Sequence, residues 1–196
     1  MYSYVSRLSS SRVLLALAFL AVISFASADA AMLNYVCTMN GPSESPPVVS
    51  PGIGSGTVAI DTDLHTMHVI CSFSGLVGTT TVSHIHGPTA VAFTGTAGVA
   101  TTTPTFTGFP AGVQSGSYDH TFDLTLASSY NPAFVTANGG TVAGAEAALL
   151  AAIAAGKAYW NIHSSFVGSG EIRGFLTPAP VPVQSTTWGQ IKALYQ

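Results

Sequence analysis

Two histidines stand two apart in S-H-I-H-G-P (residues 83–88), and a third ends Y-W-N-I-H (residues 159–163). Side chains alternate along a strand, so His84 and His86 share a face with Ile85 opposite, and His163 shares one with Asn161. Imidazole nitrogens suit copper or zinc, and three of them leave a coordination position open. The competing reading is mechanical: the rings hydrogen-bond turn backbone and clasp two strand ends. On either reading His84, His86 and His163 are expected to cluster near the surface. The chain has six histidines in all. His65, His68 and His120 fall in a turn and on strands, where structural roles are expected.

Other residue types offer less chemistry. Glu171 and Arg173 lie two apart on one strand face, opposite Ile172 and Gly174, as a recognition pair or as a brace for neighbouring backbone. Asp61 and Asp63 in D-T-D-L-H lack the further oxygen ligands and turn glycine of a calcium loop, so this stretch reads as a hairpin turn. No G-x-S-x-G elbow is present, nor a marked pair of catalytic carboxylates, which disfavours hydrolases of those types. Asn131 precedes a proline and is not a glycosylation acceptor. Cys37 and Cys71 are the only cysteines. An even pair in an exported chain favours a disulfide, with two buried thiols as the alternative.

These residues must be positioned by short strands. M-L-N-Y-V-C-T-M alternates, with Leu33, Tyr35, Cys37 and Met39 on one face. After a Pro/Gly/Ser loop, T-V-A-I, D-T-D-L-H and T-M-H-V-I-C-S-F-S read as a hairpin. Met67, Val69, Cys71 and Phe73 share its second strand's inner face. T-T-T-V-S-H-I-H is the next strand, G-V-A-T-T-T a weak candidate, and S-Y-D-H-T-F-D-L-T-L a clear one. V-A-G-A-E-A-A-L-L-A-A-I-A-A-G-K is a short helix stopped by Gly156. A-Y-W-N-I-H and G-E-I-R-G-F-L close the domain. Seven or more strands with one late helix predict an all-β, Greek-key sandwich, immunoglobulin-like or superoxide dismutase-like.

The ends read differently. Arg7 and Arg12, then a 13-residue apolar run (Val13 to Phe25), then A-S-A-D-A-A, predict a signal peptide over residues 1–30, cut near Ala28 or Ala30. Residues 31–177 form the predicted domain, 178–185 a Pro-rich linker, and 186–196 a tail with Trp188, Ile191, Leu194 and Tyr195 at helical spacing. Past residue 30, Lys157, Arg173 and Lys192 face seven acidic residues, leaving a net charge of −4. That balance supplies no basic patch for nucleic acid or anionic membrane. A secreted, cell-surface or periplasmic location follows, with no transmembrane segment in the mature chain and an unnamed extracellular partner.

Residues 33–176 resemble the CHRD domain of chordin and of exported bacterial proteins. S-E-S-P-P-V, S-G-L followed by S-H-I-H-G-P, and G-K-A-Y-W-N-I-H-S-S-F-V-G-S-G-E-I-R-G-F-L carry the resemblance in order; residues 91–140 match poorly. It implies an exported β-sandwich and no general enzymatic reaction, so a non-enzymatic binding or structural module is expected. A weaker similarity joins G-L…S-H-I-H-G and Y-W-N-I-H…G-S-G-E-I-R-G to copper/zinc superoxide dismutases. It implies a copper- or zinc-binding redox-type domain using His84, His86 and His163. The histidine-aspartate zinc loop is missing between the motifs and no arginine stands over the site, so full dismutase activity is not expected.

Overall fold

The structure is a computed structural model that describes residues 32–180 and residue 192. The predicted signal peptide, most of the predicted linker and, apart from Lys192, the predicted tail lie outside the described residues. The strands are β1 (Met32–Asn40), β2 (Ile53–Asp61), β3 (Thr66–Ser74), β4 (Thr80–His86), β5 (Gly116–Asp123), β6 (Tyr159–Ser164), β7 (Ile172–Phe175) and β8 (Thr177–Pro178). They form one antiparallel, curled sheet in the order β4-β6-β7-β1-β2-β3-β5, with β8 also paired to β1. The architecture is all-β and sandwich-like, as the alternating segments predict. Thr177 and Pro178 still pair with Val36 and Tyr35, and the Ala179 N–H donates to the Asn34 carbonyl at 2.8 Å. The sheet therefore runs into the start of the predicted linker.

Alternation fills the core. Met67, Val69, Cys71 and Phe73 of β3 are buried, as are Val58 and Ile60 of β2 and Trp160 and Ile162 of β6. The curl brings β6 over β2. A Cβ on Gly56 would lie 2.8 Å from the Trp160 ring, so only glycine leaves room for that indole. Phe106, from the long β4–β5 crossover, meets Trp160 edge-on at 5.5 Å and Phe122 of β5 at 5.1 Å. Removing a buried ring of this kind costs about 3–5 kcal/mol.

Two α-helices follow β5, one more than predicted. The unpredicted one, α1 (Pro132–Ala137), starts where the Asn131 side chain accepts the Ala133 N–H at 2.9 Å, with proline at the first helical position. In α2 (Val142–Ala154), Ala145, Leu149, Ala152 and Ile153 form the buried stripe. It ends as predicted, with Gly156 at φ +66°. No helix among the described residues is long and apolar enough to cross a membrane.

The expected Cys37–Cys71 bridge is absent: both are buried free thiols. Their strands are not neighbours. Cys37 pairs with Gly56, and Gly56 pairs with Cys71, so β2 stands between them. Two strand spacings of about 4.8 Å place the Cα atoms about 9.6 Å apart, beyond the reach of about 7 Å for a disulfide. The inward faces predicted for both cysteines are correct; their adjacency is not.

Candidate metal centre

The β4–β6 ladder builds the centre. Ser83, His84, Ile85 and His86 face Ile162, Asn161, Trp160 and Tyr159. Residues that face each other project to the same side. Ser83, Ile85, Trp160 and Ile162 therefore point into the core, while His84, His86, Tyr159, Asn161 and His163 share the other face. The three histidines meet because their strands are direct neighbours, a closer arrangement than two strand ends touching. Their ring centroids lie 5.5–5.7 Å apart, and one nitrogen from each lies within 4.8 Å of the others.

Loops cover this face and set the tautomers. As the outer edge of the sheet, β4 would expose backbone groups, but the crossover closes it. The Phe106 N–H donates to the Ser83 carbonyl, and the Ala100 N–H to the Ile85 carbonyl, both at 3.0 Å. The same crossover brings the Pro104 carbonyl to 2.6 Å from His84 Nε2 and the Ala97 carbonyl to 3.0 Å from His86 Nδ1. The β6–β7 turn places the Gly168 carbonyl 2.9 Å from His163 Nδ1. A carbonyl can only accept, so each of these ring nitrogens carries the proton. In the neutral ring the second nitrogen is then a bare lone pair. His84 Nδ1, His86 Nε2 and His163 Nε2 are buried with no hydrogen-bond partner.

Burial keeps all three rings neutral. It pushes His86 down to about 4, overcoming the Ala97 carbonyl, with the neighbouring histidines and Arg173 adding to the fall. Burial likewise lowers His84 and His163, against the opposing pull of their carbonyl partners. The centre is therefore three preoriented, deprotonated nitrogen donors, with no aspartate, glutamate or cysteine in the cluster among the described residues.

Sequence reasoning missed the surrounding groups. Tyr159 stacks on His86 at 5.0 Å with the rings 8° from parallel, and the Arg173 guanidinium lies 4.7 Å from the same Tyr159 ring. Because β6 lies between β4 and β7, Tyr159 separates Arg173 from His86. An arginine does stand beside the centre, behind a ring rather than over the donors. Arg173 lies 3.7 Å from the Glu44 carboxylate, which also accepts from Asn161 Nδ2 at 3.4 Å. Burial, only partly offset by Arg173, pushes Glu44 up to about 7. Asn161 in turn requires Gly170, where a Cβ would lie 2.4 Å from the amide oxygen. The Y-W-N-I-H alternation carried the only signal for Tyr159 and Asn161, since both share a face with His163.

Glu171 and Arg173 are buried and serve different networks. Glu171 accepts from the Ser50 hydroxyl and the Val77 N–H, both at 2.6 Å, from the Gly78 N–H at 3.1 Å, and from the Ser164 hydroxyl. Burial alone would raise its pKa, but these donors together hold it below the usual carboxylate value. Arg173 donates to the Gly95 and Ser43 carbonyls. The remaining histidines lie elsewhere: His65 contacts Glu146 at 2.8 Å, His68 contacts Asp119 at 2.7 Å, and His120 packs on Phe122. Asp61 accepts from the backbone of Asp63 and Leu64, closing the hairpin turn.

No curated protein and no solved structure matches the chain. The family model of the CHRD domain matches residues 35–176, spanning β1 to β7 and all three histidines, and the chain therefore belongs to the CHRD domain family.

Proposed function

We propose that this CHRD domain binds one transition-metal ion, copper or zinc, through His84 Nδ1, His86 Nε2 and His163 Nε2. One observation carries the reading: the three rings bring one nitrogen each within 4.8 Å of the others, and each ring keeps one buried nitrogen without a hydrogen-bond partner. Left empty, each costs about 1–3 kcal/mol as an unsatisfied buried group, whereas an ion satisfies all three. Nitrogens sharing one ion at about 2.0–2.1 Å lie about 3.4 Å apart in tetrahedral geometry, so occupation draws the rings slightly together. The backbone carbonyls of Ala97, Pro104 and Gly168 fix ring orientation, as outer-shell partners do in metal sites.

In this reading residues 1–30 direct export and the mature chain works outside the cytoplasm as a non-enzymatic metal-holding or binding module. The family resemblance and the absence of a recognisable hydrolase motif support that placement. Metal content after incubation with copper or zinc tests the ion: about one equivalent is expected for the wild type and none for His84→Ala. A second reading, the purely structural clasp, is favoured by the same three carbonyl bonds, each tying a strand to a loop. Equal uptake by wild type and His84→Ala would leave that reading standing.

A further inference from the structure

We infer that the triad selects monovalent copper over divalent ions, and that a divalent ion occupies it only together with an anion taken from solvent. The inference rests on the metal-binding reading above and adds the charge of the ion.

The donors bring no negative charge. All three are neutral imidazoles, and the cluster contains no carboxylate or thiolate among the described residues. Metal-bound histidines are commonly backed by carboxylates that feed charge toward the ion. Here every imidazole N–H points to a backbone carbonyl, from Pro104, Ala97 or Gly168. Arg173 lies 4.7 Å from the centre of the Tyr159 ring that stacks on His86, and it brings positive rather than negative charge to the neighbourhood. A bound ion keeps its full formal charge.

The surroundings then discriminate by that charge. His84, His86 and His163 are 4%, 8% and 8% exposed, so the ion sits largely out of water. The cost of burying charge rises with its square, making a divalent ion roughly four times as costly as a monovalent one. Geometry acts in the same direction: three nitrogens satisfy cuprous copper, whereas the cupric ion seeks tetragonal surroundings with further ligands. An anion in the open position removes both objections for a divalent ion.

Anaerobic titration of the mature chain with Cu(I), and separate titrations with Cu(II) and Zn(II), each against a chromophoric chelator of known affinity, test this. Cu(I) is expected to bind at least about a hundredfold more tightly than Cu(II). That ratio corresponds to a copper reduction potential about 120 mV above that of the free ion, at about 59 mV per tenfold. Added azide should tighten Cu(II) and Zn(II) binding and leave Cu(I) unchanged. Divalent binding that is lost in His84→Ala, equals Cu(I) in strength and ignores azide would overturn the selectivity while leaving the metal site intact. Failure of all three ions to bind would overturn the metal site and the selectivity together.

Discussion

The Trp160 indole donates its N–H to the Ser83 hydroxyl at 2.8 Å, and that hydroxyl donates to the Asn161 carbonyl at 2.9 Å. This relay lies on the core side of the ladder, directly behind the row formed by His84 and Asn161. It pins β4 to β6 and so fixes the register that brings the histidines together. Ser83→Ala strands the buried indole N–H and should destabilise the domain by about 1–3 kcal/mol. Calorimetry should show a melting temperature lower by about 2–4 °C for each kcal/mol. An unchanged melting temperature would mean the relay does not hold the strands.

The two cysteines should remain thiols in the folded protein, even under oxidising conditions. Burial pushes both up to about 12, so neither should react with an alkylating reagent in the native state. Unfolding without reductant should release two reactive thiols per chain, and dithiothreitol should leave the denaturation midpoint unchanged. Recovery of a cross-linked Cys37–Cys71 peptide would show that β2 does not separate them in the folded protein.

Acid should weaken the metal-free domain through its imidazoles. His86 falls from 6.5 in the unfolded chain to about 4 in the folded one, so between these values the unfolded state binds more protons. Stability is fully present above about pH 6.5 and is lost as pH falls toward 4, by about 3 kcal/mol for His86 alone. His84 and His163 shift in the same direction. Glu44 works against them: raised from 4.5 to about 7, it contributes stability below pH 4.5 that is lost as pH rises to 7. Urea denaturation across this range should therefore show a net loss toward acid, and a steeper one in Glu44→Gln.

Glu171 is the most heavily bonded carboxylate described, accepting from two backbone N–H groups and two hydroxyls. Glu171→Ala leaves those donors buried without an acceptor and should cost at least about 1–3 kcal/mol in chemical denaturation. Whatever folded protein remains should keep its metal stoichiometry, because Glu171 contributes no donor to the centre. A variant as stable as the wild type would remove Glu171 from the account of stability.

Strand alternation made part of this centre legible in the sequence. The two-residue period put His84 beside His86, and His163 on the face of Asn161, and the structure shows those faces. It could not show that β6 lies directly next to β4, because that pairing joins strands distant in sequence. The carbonyls of Ala97, Pro104 and Gly168 were equally hidden, since a backbone group leaves no residue-type signal. The cysteines differ for the same reason: alternation places both on inward faces, but the presence of Gly56 between them depends on long-range strand order. The six residues of α1 were too few for helical periodicity, although Asn131-Pro132 marked its start.

X-ray absorption at the copper edge of the Cu(I)-loaded chain tests the central claim most directly. The account predicts one copper per chain, surrounded by nitrogen donors at about 2.0 Å with the outer scattering of three imidazoles, and loss of that signal in His163→Ala. A sulfur neighbour at about 2.3 Å, or copper with fewer than three imidazoles, would contradict it.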